Sequence, residues 1–118
     1  HPFDRFRSEV ISPAALESIA DLADIVESFN ARNTMSAANR KAQAYALDHG
    51  LLTSAVSDAH TTIELGRTYT EMPNFDGSPC DFKRALAEAT LVGRKMNPLI
   101  HVVTSLTKIK KRLLGSRV

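Results

Sequence analysis

The chain is poor in the residues that staple or anchor a protein. Its 118 residues include a single cysteine, Cys80. One thiol closes no intrachain disulfide and rules out a cysteine-based zinc site, so a reducing, cytoplasmic setting is expected. No stretch approaches the roughly 18 apolar residues that would span a bilayer, so no membrane partner is expected. Charge of one sign is also lacking: 15 Lys+Arg against 13 Asp+Glu leave a formal +2. That balance does not argue for nucleic acid as a partner. The opening His1-Pro2-Phe3-Asp4-Arg5-Phe6-Arg7 has neither the apolar segment of a leader nor an initiator methionine. It reads as the start of a piece cut from a longer protein, with an N-terminal half missing.

What is present fits one ordinary folding unit. The chain is 43% hydrophobic and 24% charged. Both values are close to the averages of globular domains, and the length suits one of them. Positive charge gathers at the end, where Lys108, Lys110, Lys111, Arg112 and Arg117 face no acid between residues 108 and 117. Such a tail is either the solvated face of a helix, with cations near its C-terminus, or a contact for nucleic acid or anionic lipid.

Punctuation along the chain predicts alternating helices and strands. Ser12-Pro13 is a cap followed by an N1 proline, opening a helix that runs on through Leu16, Ile19, Ala20, Leu22 and Ala23. Residues 23–29, with β-branched Ile25 and Val26, predict a strand that ends at a polar loop, Asn30 to Asn33. Thr34 or Ser36 then caps an alanine-rich helix that Gly50 stops. Residues 51–56 predict a second strand, and residues 68–72 an edge strand. After a turn-rich loop, Ser78-Pro79 opens a helix to about Arg94; Asn97-Pro98 breaks it before a last basic helix from Leu99 to Leu114. This order implies an α/β unit with parallel strand pairing. Two parallel strands are an incomplete layer, because parallel sheets are covered on both faces. Self-association into a homo-oligomer, or continuation of the chain before His1, would complete it.

Three residues suggest chemistry: His1, and Asp58 with His60 in Ser57-Asp58-Ala59-His60. Positions i and i+2 of an extended backbone point the same way, so Asp58 and His60 can aim into one site at the mouth of the second strand. In α/β sheets, ligands collect at such C-terminal strand ends. A carboxylate with an imidazole suits Zn²⁺, Mn²⁺ or Fe²⁺ better than Ca²⁺ or Mg²⁺.

Around these residues the chain resembles a known family. Ala23-Asp24-Ile25-Val26-Glu27-Ser28-Phe29-Asn30-Ala31-Arg32 is similar to a strand and loop of the PHP (polymerase and histidinol phosphatase) superfamily. Residues 57–73, from Ser57-Asp58-Ala59-His60 to Pro73, are similar to that family's last metal motif and the segment after it; His1-Pro2 resembles the opening of its third. Residues 1–75 follow the family's order and spacing, and 78–115 resemble its helical extension more loosely.

The resemblance implies the C-terminal βα units of a distorted (β/α)7 barrel over residues 1–75, with a helical extension over 76–118 packed on it as one compact unit. It also implies a metal-dependent phosphoesterase that hydrolyses a phosphomonoester through a metal-activated water, with a trinuclear divalent centre at the C-terminal face of the barrel. By motif, His1, Asp58 and His60 take metal-ligand positions, and Asp58 and His60 are the catalytic pair. Arg5, Arg7 and Arg32 are either phosphate contacts or exposed loop arginines; Asn30 faces the site or caps its loop. Two departures count against activity of this chain alone. The family's first motif, His-x-His, and its second-motif His and Glu have no counterpart here. Val56 also stands where glycine is common, and it disfavours φ > 0 at that point. The alternative expectation is a non-catalytic, self-associating module with an incomplete metal site.

Other groups carry structural expectations. His49, beside Gly50, complements a helix dipole, and His101 is a partly buried core histidine. Glu27 pairs with a base or points to solvent. Glu64 shields the site rim or pairs with Arg67. Cys80 is an incidental exposed thiol.

Overall fold

The computed structural model of the protein describes residues 2–5, 10–33 and 35–94. Within them run helix α1 (Pro13–Ser18), strand β1 (Ile25–Asn30), helix α2 (Ser36–Asp48), strand β2 (Leu52–Val56), strand β3 (Thr68–Glu71), helix α3 (Pro79–Ala87) and strand β4 (Thr90–Gly93). Short 3-10 turns occupy Ala20–Leu22 and Thr62–Glu64. His1, Arg7, Thr34, His101, the expected last helix and the basic tail lie outside the described residues.

Two helix starts follow the sequence. Ser12 accepts a hydrogen bond from the Ala15 amide ahead of Pro13, and Ser78 accepts one from Asp81 ahead of Pro79. Each oxygen satisfies a donor that the first helical turn leaves free, and proline at N1 sacrifices none. Helix α2 has no side-chain cap at Met35, and it stops at His49 with Gly50 at φ 65. Glycine adopts that left-handed conformation without the Cβ penalty.

Two expected helices are shorter than the sequence suggests. α1 ends at Ser18, whose hydroxyl donates to the Ala15 carbonyl at 2.8 Å. That bond competes with the helical ladder, and the chain tightens into the 3-10 turn. α3 ends at Ala87 rather than near Arg94, and Thr90–Gly93 is a strand. β-branched Thr90 and Val92 favour extended backbone, and the ladder of β3 is there to receive them.

The α/β class holds. β1 and β2 pair in parallel, from Ile25↔Leu52 to Asn30↔Val56, with an irregularity between Glu27 and Phe29. β3 and β4 pair antiparallel, Thr68↔Gly93 to Glu71↔Thr90. The strands thus form two small sheets, and no closed barrel is built by the described residues. Thr70 joins the sheets: its hydroxyl accepts from the Ala55 amide at 2.9 Å and donates to the Ala55 carbonyl at 3.1 Å. Gly93 lies under Phe29, where an added Cβ would come within 2.7 Å of the ring.

Large apolar side chains are scarce in the interior. Leu16, Ala20 and Tyr45 form a buried cluster, with Phe3 and Leu51 packed on it. The other buried apolar residues are mainly alanines: Ala31, Ala38, Ala42, Ala46, Ala55 and Ala85. The largest fully buried side chains are polar, namely Glu64, Asn30 and Ser28.

Candidate functional site

Parallel pairing brings the C-terminal ends of β1 and β2 to one edge, with Asn30 opposite Val56. Asp58 is two residues past Val56, and its backbone has φ 51. Aspartate tolerates this left-handed conformation better than most residues, at some cost. Val56 itself closes the strand, so the bend needed here falls on Asp58 instead. Asp58 and His60 do meet: Asp58 Oδ1 lies 3.5 Å from His60 Nε2. Strand alternation is not the reason, because both residues follow the end of β2. The left-handed turn at Asp58 carries the chain through the bend between them. The Asp58 side chain is 21% exposed and that of His60 39%, so solutes can reach both.

Asn30 holds Asp58 from beneath. It is fully buried, and its amide nitrogen donates to Asp58 Oδ2 at 3.3 Å and to Glu27 Oε1 at 2.8 Å. Its side-chain oxygen accepts from the Arg32 amide at 2.8 Å. Its own backbone is clasped by Asn39 of α2, which accepts from the Asn30 amide and donates to the Asn30 carbonyl, each at 3.2 Å. Asn33 donates its side-chain amide to the same Asn39 oxygen. Buried polar groups are tolerated when they are bonded in this way. One acceptor is left over: Asn33 Oδ1 is buried with no hydrogen-bond partner among the described residues.

The loop that carries His60 has a second support. Glu64 Oε2 accepts from the His60 amide at 2.9 Å, the Thr61 amide at 2.8 Å and the Thr61 hydroxyl at 2.8 Å. Its other oxygen is paired with the Arg32 guanidinium. Burial pushes the Glu64 carboxyl up, but these bonds and the Arg32 charge outweigh it and hold the group below its ordinary range. Glu64 is therefore neither a rim residue nor a partner of Arg67. It is a buried anchor, because the turn folds its carboxylate back onto the Thr61 end. Arg32 is not an exposed loop arginine; its side chain is 4% exposed and engaged with that anchor.

Arg5 is exposed and lines a shallow hollow with Phe3, Met35 and Lys41, which includes neither Asp58 nor His60. Glu27 does not point to solvent: it is half-buried and accepts from the Asn30 side-chain amide. Glu64 and Asn39 are supports that the sequence expectations do not include. The spacing Thr61-x-x-Glu64 is the capping-box pattern and could have revealed the first. Nothing in the sequence around Asn39 signals the second.

Residues 36–91 match a family model described as PHP-associated. No curated protein and no solved structure matches the chain. The matched stretch contains Asp58, His60 and Glu64 together with Asn39, whereas Glu27, Asn30 and Arg32 precede it.

Among the described residues, no three His, Cys, Asp or Glu side chains are grouped so as to hold a metal ion. Asp58 and His60 fit a divalent transition metal as two members of a donor set: one carboxylate, one imidazole, both reachable. No helix among the described residues is long and apolar enough to cross a membrane.

Proposed function

We propose that the chain supplies the Asp58–His60 couple to the divalent-metal centre of a PHP-type phosphoesterase acting on a phosphomonoester. In this reading, residues 1–75 are the closing βα units of the distorted barrel, and the remaining ligands come from outside residues 2–94. The observation that carries it is the approach of Asp58 Oδ1 to His60 Nε2, 3.5 Å apart, at the mouth of two parallel strands. A bound metal ion would supply Lewis acidity towards water and the phosphate oxygens. This chain's part is to keep two donors converged. Asn30 fixes the Asp58 carboxylate, and Glu64 fixes the backbone of His60.

A second reading is a self-associating module with an incomplete metal site; the exposed side chains of Leu22, Leu47, Ile63 and Leu65 favour it. Titration of the full chain with Zn²⁺ or Mn²⁺, followed by NMR and by aryl phosphate turnover, tests both. The phosphoesterase reading expects metal-dependent shifts at Asp58 and His60 that vanish in Asp58→Ala. Turnover with the same dependence would extend it to catalysis. Metal that leaves both residues unperturbed sinks it in favour of the module.

A further inference from the structure

The β3–β4 sheet has two unlike faces. Thr68, Thr70 and Gly93 belong to the inner one: Thr68 is buried, Thr70 is bonded to Ala55 of β2, and Gly93 lies under Phe29. Alternation along the strands puts Arg67, Tyr69, Val92 and Arg94 on the other face. These four residues, with Gly66, line an open cleft of about 460 Å³.

The register sets the two arginines against each other. Thr68 pairs with Gly93, so the next positions outward are Arg67 and Arg94. The Thr68 hydroxyl closes this end of the ladder by donating to the Arg94 carbonyl at 3.1 Å and accepting from the Arg94 amide at 3.2 Å. Residues directly opposite in an antiparallel pair have Cβ atoms about 4.5–5.5 Å apart, and like charges there repel. Both arginines are exposed, and neither has a carboxylate partner among the described residues. Glu71 shares their face further along β3 but pairs with neither.

We propose that this cleft is an oxyanion site that takes a phosphate group. Two guanidinium forks at one end of a short ladder fit phosphate oxygens bidentately, and the anion removes the repulsion between them. Tyr69, 44% exposed, and Val92 form a floor against which an apolar or ring-bearing body attached to the phosphate can rest. The site shares no residue with the Asp58–His60 couple and does not depend on a metal there.

The test is titration of the metal-free full chain with inorganic phosphate at constant ionic strength, read by amide NMR and by Tm. Phosphate is expected to shift the amides of Arg67 to Tyr69 and of Val92 to Arg94 and to raise Tm, while chloride at the same ionic strength does neither. Arg67→Gln and Arg94→Gln should each weaken phosphate binding by about tenfold or more. Without phosphate and at low salt, each should also raise Tm by about one to a few degrees by relieving the repulsion. A substitution that merely damaged the fold would lower it. Phosphate that acts no differently from chloride, or binding that survives both substitutions, overturns the proposal. The Asp58→Ala variant should bind phosphate at the cleft normally, so failure of the metal reading and failure of this one can be told apart.

Discussion

The two ends of the β1–β2 pair are built from opposite materials. At the C-terminal end, the interior is polar: Asn30, Arg32, Asn33, Asn39 and Glu64 are all buried, and their bonds converge beneath Asp58 and His60. At the N-terminal end, the material is apolar and loosely closed. Ile11, Leu16, Ile19, Ile25, Tyr45 and Leu51 line a cavity of about 420 Å³ that opens to solvent. Hydrophobic contact is tolerant of position, whereas a bonded polar network holds its groups in one geometry. The difference teaches that this chain places its most tightly bonded packing beneath the point where Asp58 and His60 meet. Among the described residues, its apolar surface at the other end is only half-covered.

The largest test of that contrast removes the polar anchor. Glu64→Ala removes the carboxylate paired with the buried Arg32 guanidinium and the acceptor of the His60 and Thr61 amides. Breaking a buried ion pair from one side costs about 3–5 kcal/mol. Arg32→Met should cost less, because Glu64 keeps the His60 and Thr61 donors. Urea denaturation of the two variants checks the order; equal losses would mean that the carboxylate, with its three other bonds, is no more than half of a simple pair.

A smaller effect compares one side chain from each end. Asn39→Ala removes the side-chain acceptor of the Asn30 amide and one of the donors to the Asn30 carbonyl, which keeps the Asn33 amide at 3.3 Å, at a cost of about 2 kcal/mol. Tyr45→Phe removes only the bond from the Tyr45 hydroxyl to the Leu16 carbonyl, about 1 kcal/mol, and keeps the ring in its cluster. A Tyr45→Phe loss as large as that of Asn39→Ala would erase the distinction between the two ends.

The apolar end and the element order were legible in the sequence for local reasons. Ser12-Pro13, Ser78-Pro79 and Gly50 signal helix ends through bonds and dihedrals that involve only near neighbours. Asp58 and His60 were found by residue type, although the left-handed turn that brings them together was not. The polar end was mostly invisible. Arg32 and Glu64 are 32 positions apart; the Thr61-x-x-Glu64 pattern signals the local cap, but nothing near Arg32 signals that the two pair. Local pattern predicts helix over Thr90–Gly93, because the strand state of β4 depends on β3, about twenty residues earlier in the chain. The pairing of Arg67 with Arg94 depends on that same register.

The smallest effect is a pH dependence at the apolar end. His49 stacks on Tyr45 with ring centroids 4.0 Å apart. Its Nδ1 is 2.9 Å from the Tyr45 carbonyl, and its Nε2 is 3.3 Å from Glu17. The bond to the Tyr45 carbonyl is the main cause that holds its pKa above the ordinary 6.5; desolvation opposes it, and Glu17 and Asp48 add to it. A histidine raised in the folded state stabilises the fold while it is protonated. That contribution is complete below the unfolded value and is lost as pH rises through the folded one. The Tm advantage of the protein over His49→Gln should therefore shrink as pH rises above about 6.5, with the His49 ring proton resonances titrating at a pH above that ordinary value. The shift should be slight, because the ring is partly in water and Glu17 is exposed. A Tm difference that does not change with pH would mean that His49 contributes only its stacking on Tyr45. The apolar end would then hold no electrostatic contribution from this residue, which makes the contrast with the network around Glu64 sharper still.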